Sequence, residues 1–246
     1  MSKKIEKALM AEREQILQVL RQTVFHQFDP EIHHKQVIPF ASYSPWEGDI
    51  EFMELYEKVR QNTLVDIYRC YELWRLVKDL VSIEGDILEV GVWRGGTGAI
   101  MSKACENQHT TVFLADTFEG VVKATQEDTV YRGGEHSDTS EETVKHLLGS
   151  LGTNNYKILK GIFPDAFQDL MIEKIKLCHI DVDTYLSAKD IFDFAWPKIP
   201  VGGIVIFDDY GFWTCEGITR YFNELDLTDG RKIHNLNGHG IIVKTK

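Results

Sequence analysis

Long hydrophobic runs are missing from this sequence, and none approaches the roughly 20 apolar residues that a transmembrane helix needs. The opening stretch, MSKKIEKALMAEREQILQVL, is charged throughout and lacks the apolar core of a signal peptide, which favours a cytoplasmic location. Cysteine is scarce: four cysteines, at positions 70, 105, 178 and 215, lie far apart without a CxxC pair. We therefore expect reduced, buried thiols rather than a disulfide framework or a zinc site.

Positive charge is also in short supply, because 27 lysines and arginines face 38 aspartates and glutamates and leave a net charge of −11. Nucleic acids and anionic membranes are bound through clustered basic residues, so neither is expected as a partner. A small ligand, including a cationic cofactor, is compatible with this charge. With 246 residues, 43% of them hydrophobic, the chain can bury the core of one large domain, with or without an appendage.

The first 80 residues differ from the remainder and are predicted to form a helical extension. The segment KKIEKALMAEREQILQVLRQTVFHQF has apolar residues at helical spacing among many charges, which indicates an amphipathic helix. Residues 29–49 contain three prolines and are a predicted loop, whereas IEFMELYEKVRQNT and VDIYRCYELWRLVKDLVSI are predicted helices. We interpret residues 1–80 as an N-terminal extension or lid, and residues 81–246 as the main domain.

From residue 85 onward, short apolar runs alternate with helical segments. Five runs are predicted strands: DILEV, TTVFLAD, YKILKG, KLCHIDVD and GGIVIFDD. Repeated β–α units predict a doubly wound, mostly parallel sheet of the α/β class. The closing runs RKIHNLN and HGIIVKTK flank an NGHG turn and predict an antiparallel edge. Because ligands of such sheets bind at the carboxyl ends of the strands, residues at those ends form the candidate site.

The first predicted strand ends in the glycine-rich turn EVGVWRGGTG, which opens a helix. Its spacing is G-x-x-x-G-G rather than G-x-G-x-x-G, which disfavours a dinucleotide pyrophosphate. Glu89 precedes the turn and suits a cation or an amine, and Asp116 ends the second strand, where nucleoside-binding folds place an acid for the ribose. Taken singly, these features are equally explained by a plain turn and a capping acid. Together they favour a cationic nucleoside such as S-adenosylmethionine.

Two later strands end in pairs of aspartates, in CHIDVDTY and GIVIFDDY. Asp181 and Asp183 are two residues apart and share a face of their strand, and Asp208 and Asp209 end the next strand. Four carboxylates in one volume repel each other, and a divalent cation relieves that repulsion. An all-oxygen ligand set suits Mg²⁺, Mn²⁺ or Ca²⁺ rather than zinc. Separate turn acids and helix caps remain the alternative interpretation.

Five motifs occur in the order found in one known family: EVGVWRGG, DTFEG, LKGIFPDAF, HIDVDTY and GGIVIFDDYG. Over residues 85–221 the sequence resembles the macrocin O-methyltransferase (TylF-type) family. The resemblance implies a class I, Rossmann-like methyltransferase that depends on S-adenosylmethionine and Mg²⁺ (or Mn²⁺ or Ca²⁺). It also implies methyl transfer to a sugar hydroxyl of a glycosylated natural product, as in antibiotic biosynthesis.

The resemblance further implies roles for individual residues. Asp181, Asp208 and Asp209 would bind the metal, and Asp183 would take the proton from the hydroxyl. His136, in the polar loop YRGGEHSDTS, is a second candidate base. Cofactor contacts would come from three strand ends, at Glu89, Gly91, Trp93, Gly95, Gly96, Thr97, Asp116, Thr117, Phe118, Gly161 and Ile162.

Three positions depart from the family pattern. Val182 stands where glycine is usual, Ala188 follows Ser187 where threonine is usual, and Thr117 replaces serine. None of them is a metal-binding carboxylate in this interpretation, so they bear on the acceptor more than on the chemistry.

The acceptor and the enzyme class each leave alternatives. A catechol-like diol would satisfy the same chemistry as a sugar, and an NAD(P)-dependent oxidoreductase is opposed by the missing G-x-G-x-x-G. A non-catalytic binding protein is opposed by the four acids, because a scaffold has no reason to concentrate repelling carboxylates. We expect a small-molecule glycoside or diol as partner, and a homo-oligomer, which the amphipathic N-terminal segment favours.

Overall fold

The computed structural model of the protein describes residues 3–22, 24–25, 34–35, 43–235 and 237–246. The chain divides into two compact units, Met1–Pro45 and Trp46–Lys246. In the first unit, α1 (Lys3–Gln22) forms as its helical spacing predicts, and β1 (Val24–Phe25) pairs antiparallel with β2 (His34–Lys35). Most of the loop predicted at 29–49 lies outside the described residues.

Two helices, α2 (Ile50–Val59) and α3 (Ile67–Asp79), open the second unit at their predicted positions. One oxygen of Asp49 accepts a hydrogen bond from the Phe52 amide at 3.1 Å and begins α2, and the other accepts one from Trp74 Nε1 at 3.0 Å. The rings of Phe52 and Trp74 are buried in a core shared with the sheet. The predicted domain boundary at residue 80 stays a prediction. In the structure both helices belong to the second compact unit, Trp46–Lys246.

Seven strands form the main sheet: β3 (Asp86–Val90), β4 (Val112–Asp116), β5 (Tyr156–Lys160), β6 (Ile175–Ile180), β7 (Ile204–Phe207), β8 (Gly230–His234) and β9 (Gly240–Lys244). Their order across the sheet is β5-β4-β3-β6-β7-β9-β8. The first five are parallel, and β9 runs antiparallel to both β7 and β8. This arrangement confirms the predicted doubly wound, mostly parallel sheet with an antiparallel edge.

Four helices connect the strands: α4 (Gly96–Ala104), α5 (Glu141–Ser150), α6 (Tyr185–Ala195) and α7 (Glu216–Glu224). Only α5 was absent from the sequence prediction. Ser140 begins it by accepting a hydrogen bond from the Thr143 amide at 3.1 Å, with Glu141 and Glu142 in its first turn. This N-terminal signal is readable in the sequence, because a serine cap followed by acids suits a helix start.

The alternation of side chains along the strands divides the core into two layers. Ile87 packs with α2, α3 and α4 on one face of the sheet, whereas Leu88 packs with α6 and α7 on the other. The strand order reverses between β3 and β6, where the connections leave in opposite directions and open a crevice. In the described part of the chain, no helix is long and apolar enough to cross a membrane.

Candidate active site

A cavity of about 270 Å³ lies at the carboxyl ends of the parallel strands, at the point where the strand order reverses. Its walls come from the turns after β3, β4, β5, β6 and β7 and from the loop between α2 and α3. Most of the predicted site residues line it: Gly91, Trp93, Thr97, Asp116, Thr117, His136, Gly161, Asp181, Asp183, Asp208 and Asp209.

The glycine turn approaches the end of β6 so closely that a side chain has no room at Gly91. A Cβ there would lie 1.6 Å from the Asp181 carbonyl oxygen, and the backbone has a positive φ of 91°. Both features favour glycine. The turn after β3 and the first acid pair therefore form one connected wall of the cavity.

Asp116 organises the glycine turn from the neighbouring strand. Its Oδ2 accepts hydrogen bonds from the amides of Val92 at 2.7 Å and Trp93 at 2.8 Å, and its Oδ1 accepts one from Phe118 at 2.6 Å. Trp93 is held at a positive φ of 47°, a conformation that residues with a side chain adopt rarely. Asp116 thus fixes the glycine turn and also lines the cavity.

The glycine turn is also attached to the loop before α5. Trp93 Nε1 donates a hydrogen bond to Asp138 Oδ1 at 2.9 Å, and Arg94 Nη2 lies 2.5 Å from Asp138 Oδ2. The Arg94 guanidinium also lies 4.5 Å from the centre of the Trp93 ring. These contacts hold the loop that carries His136 next to the turn.

Five of the predicted cofactor residues do not line the cavity: Glu89, Gly95, Gly96, Phe118 and Ile162. Glu89 is fully buried, and its Oε1 lies 3.0 Å from His179 Nδ1, another fully buried group. Glu89 shares a strand face with Ile87, on the side of the sheet that α3 and α4 cover, and its Oε2 has no hydrogen-bond partner among the described residues. Contact of Glu89 with a cofactor stays a prediction.

The two acid pairs meet as the parallel register predicts. One carboxylate oxygen from each of Asp181, Asp208 and Asp209 lies within 4.8 Å of the others. The Asp181 amide donates a hydrogen bond to the Val90 carbonyl at 2.9 Å, and the Asp208 amide donates one to the Ile180 carbonyl at 2.9 Å. The backbone hydrogen bonds between neighbouring strands therefore continue as far as these two aspartates. We call Asp181, Asp183, Asp208 and Asp209 the acidic cluster.

Two members of the acidic cluster have unusual backbones: φ is 63° at Asp183 and 58° at Asp209. Such conformations cost on the order of 1–3 kcal/mol each and concentrate at functional sites. They aim both carboxylates into the cavity.

Arg69 of α3 also reaches the acidic cluster, and sequence reasoning missed it. Its Nη1 donates to Asp208 Oδ1 at 2.5 Å and to Asp209 Oδ1 at 2.8 Å. Arg69 is only 3% exposed, and its guanidinium also lies 4.6 Å from the centre of the Phe212 ring. A signal was present, because Arg69, Leu73 and Val77 are four residues apart and a charge on a buried helix face requires a partner.

Burial and mutual repulsion raise the pKa of three carboxyls in the acidic cluster. Burial is the main cause at Asp181, and the other three aspartates act in the same direction. Burial and the charge of Asp208 raise the pKa of Asp209, and burial and Asp209 raise the pKa of Asp183 to about 8. Burial is the largest single influence on Asp208 and opposes its ionisation, but the Arg69 charge and the His239 hydrogen bond and charge together outweigh it and hold the pKa of Asp208 below its usual range.

These carboxylates fit a hard divalent cation, because they offer only oxygen and three of them converge within 4.8 Å of one another. A guanidinium already bridges Asp208 and Asp209, so a positive charge is accommodated at this place. This all-oxygen set of ligands therefore suits Mg²⁺, Mn²⁺ or Ca²⁺ rather than zinc.

Asp183 has its own set of neighbours in the cavity. Cys215 Sγ lies 3.5 Å from Asp183 Oδ1 and 3.4 Å from Asp209 Oδ2, so the thiol can donate to either carboxylate. Burial raises the pKa of the Cys215 thiol, which keeps it protonated. Tyr131 also faces Asp183, and its hydroxyl lies 3.5 Å from Nε2 of the exposed His136.

Asp208 is supported from behind by buried groups. His239 Nε2 lies 3.1 Å from Asp208 Oδ1, and His239 Nδ1 lies 2.6 Å from Glu72 Oε2. Burial alone would lower the pKa of His239, but the two carboxylates outweigh it and raise that pKa. The imidazole thus links α3 to Asp208 through the core.

This strand order, with a glycine turn at the reversal point, defines the class I methyltransferase fold. A model of the macrocin-O-methyltransferase (TylF) family matches residues 55–241, and the chain belongs to that family. It is therefore an O-methyltransferase, an enzyme class that uses S-adenosylmethionine as methyl donor. Family membership also removes the oxidoreductase and non-catalytic alternatives.

Curated relatives and solved structures agree with this assignment. Mycinamicin III 3''-O-methyltransferase of Micromonospora griseorubida is 29% identical over 68% of this chain and 73% of its own length. The 8-demethyl-8-(2,3-dimethoxy-alpha-L-rhamnosyl)-tetracenomycin-C 4'-O-methyltransferase of Streptomyces olivaceus is 26% identical over 73% of this chain and 74% of its own. The structure of the O-methyltransferase NovP superimposes with a TM-score of 0.67 at 27% identity, covering 75% of this chain and 83% of its own.

Proposed function

We propose that the protein moves a methyl group from S-adenosylmethionine to a sugar hydroxyl of a glycosylated small molecule, with the help of a divalent cation. The observation that carries the proposal is the convergence of four carboxylates beside the glycine turn. A relative whose name specifies a rhamnosyl acceptor supports the sugar.

On the cofactor side, the proposed contacts are those predicted residues that line the cavity. The Gly91 turn and Thr97 would hold the methionine end, Asp116 the ribose, and Gly161 the adenine. Asp116 already accepts three amide hydrogen bonds, and its oxygens retain further lone pairs for ribose hydroxyls. This part of the site would orient the donor methyl towards the acidic cluster, and catalysis would rest mainly on positioning.

On the acceptor side, Asp181, Asp208 and Asp209 would hold the cation. A bound divalent cation would supply positive charge that acidifies a neighbouring hydroxyl. Asp183 would accept the hydroxyl proton, because a general base works best with a pKa near the operating pH and that of Asp183 is raised to about 8. His136 is the second candidate base, but it lies on an exposed loop.

The other proposed properties concern residues 1–80 and the assembly. Residues 1–80 would act as an extension or lid, and the chain would self-associate in the cytoplasm. Support for self-association comes from α1, where Leu9, Met10 and Ile16 are exposed apolar residues. Light scattering of the full chain and of Met10→Glu would test it: the prediction is an oligomer that the variant weakens, and a monomeric wild type would contradict it.

The metal assignment is tested by binding rather than turnover, so no acceptor is needed. Metal-stripped Asp181→Asn should lose Mn²⁺ binding while retaining S-adenosylhomocysteine binding in calorimetry. Asp193→Asn is a matched control, because Asp193 is an exposed acid of α6 paired with Lys189. If Asp181→Asn binds Mn²⁺ as the wild type does, the assignment is wrong.

The acceptor class is tested by turnover. Glycosides with free vicinal hydroxyls and simple catechols should be compared, each with and without EDTA. The proposal predicts metal-dependent methylation of the glycosides, and methylation of catechols alone would replace the sugar assignment.

A further inference from the structure

Arg69 occupies an unexpected position for a basic residue in a cation-binding site. Its guanidinium bridges Asp208 and Asp209, two of the three carboxylates proposed to hold the metal. No lysine lines the cavity in the described part of the chain, and the remaining charged side chains of its lining are all aspartates. Arg69 thus supplies the permanent positive charge that lies next to the acidic cluster.

The packing around Arg69 fixes it in that position. The side chain is 4% exposed, its Nη2 lies 3.4 Å from Asp66 Oδ2 one turn earlier on α3, and its flat group faces Phe212. Arginine does not lose its charge in proteins, so the guanidinium contributes a permanent charge. Its planar arrangement of donors can contact two carboxylates at once, which a lysine ammonium does less well.

The charges explain why one arginine does not satisfy the acidic cluster. Four carboxylates line the cavity, and the Arg69 guanidinium forms ion pairs with only two of them, Asp208 and Asp209. Of these two, Asp208 is the carboxylate that Arg69 contacts most closely. Arg69 therefore prepares part of the site and leaves negative charge that a divalent cation can compensate.

We propose that Arg69 is a built-in counter-cation that holds Asp208 and Asp209 in place without metal and weakens metal binding by competing for them. The inference rests on the proposed function, because it assumes that these carboxylates bind a divalent cation. Arg69 is a positioning residue in this scheme. It keeps the empty site folded and keeps the metal exchangeable.

A purely structural salt bridge would have a different consequence. If Arg69 only braced α3 against the sheet, its removal would loosen Asp208 and Asp209 and weaken metal binding. Competition predicts the opposite sign, because removing a like charge beside the metal strengthens binding. The direction of the change in metal affinity therefore separates the two roles.

The experiment is a titration of the metal-stripped full chain with Mn²⁺, following free Mn²⁺ by electron paramagnetic resonance. Arg69→Met should bind Mn²⁺ more tightly than the wild type, by about tenfold or more, since unit charges a few ångströms apart interact strongly at a buried site. Arg69→Lys keeps the charge and should bind Mn²⁺ less tightly than Arg69→Met. Arg75→Met is the matched control, because Arg75 lies on the same helix, half exposed and 3.9 Å from Asp79.

Thermal melting supplies the second readout. In EDTA, Arg69→Met should melt below Arg75→Met, and Mn²⁺ should raise its melting temperature by more than it raises that of the wild type. If Arg69→Met folds only with Mn²⁺, Arg69→Gln, which also removes the charge, takes its place in the titration with the same two outcomes. Equal or weaker Mn²⁺ binding by folded Arg69→Met would overturn it while leaving the metal assignment intact. If neither protein binds Mn²⁺, the metal assignment fails, and this inference fails with it.

Discussion

Gly91→Ala should separate the glycine turn from the first acid pair. The new Cβ would lie 1.6 Å from the Asp181 carbonyl oxygen, so the backbones of β3 and β6 must move apart. The positive φ adds roughly 1–2 kcal/mol for any residue with a Cβ, and overpacking of this kind costs about 1–3 kcal/mol. The combined loss of about 2–5 kcal/mol corresponds to a fall in melting temperature of about 4–20 °C for a domain of this size.

Differential scanning fluorimetry measures that fall, and calorimetry with S-adenosylhomocysteine should show loss of cofactor binding. Gly149→Ala is the control: Gly149 lies in α5, no atom lies within 4 Å of a Cβ there, and alanine favours a helix by about 1 kcal/mol over glycine. Its melting temperature should stay level or rise. If Gly91→Ala has the same melting temperature as Gly149→Ala and binds S-adenosylhomocysteine as the wild type does, the close approach of the two strand ends is refuted.

Three further predictions follow from the same geometry. Asp116→Asn offers a single acceptor oxygen to three amides, so its free energy of unfolding should fall by about 1–3 kcal/mol. It should also bind S-adenosylhomocysteine more weakly in calorimetry. Unchanged binding would contradict the role of Asp116 in shaping the glycine turn. Asp49→Ala removes both the α2 cap and the hydrogen-bond acceptor of Trp74 Nε1. Urea unfolding should show a free energy of unfolding lower by about 1–3 kcal/mol, and a decrease below about 0.3 kcal/mol would exclude both contacts. The pKa of Asp183 is about 8 in the fold and near 4 in an unfolded chain, so the metal-free fold should lose stability as pH rises through that window. In EDTA, the melting temperature of the wild type should be lower at pH 8 than at pH 5, and this difference should be smaller for Asp183→Asn. An equal difference in the variant would contradict the raised pKa of Asp183.

The parallel sheet and the acidic cluster could be predicted because both follow from local rules. Apolar runs between helical segments give parallel strands, and parallel strands bring their carboxyl ends to one edge. Asp181 and Asp208 directly follow two such strands, which become neighbours in the sheet. Their meeting needed no information beyond strand order.

Arg69 shows where that reasoning fails. The cofactor contact of Glu89 stays a prediction, and the structure adds that this carboxylate is buried beside His179. Arg69 is 139 residues away from Asp208 in the sequence, and only the packing of α3 on the sheet joins them. Sequence patterns record which face of an element is buried, whereas the partner across a helix–sheet interface depends on how the two elements pack.

The central claim, that the acidic cluster binds a divalent cation beside the methyl donor, is tested most directly by a cocrystal with S-adenosylhomocysteine and Mn²⁺. Anomalous diffraction would locate the metal. The account predicts one anomalous peak bonded to Asp181, Asp208 and Asp209, with the nucleoside along the Gly91 turn. A fully occupied nucleoside site with no peak at these carboxylates, at saturating Mn²⁺, would contradict it.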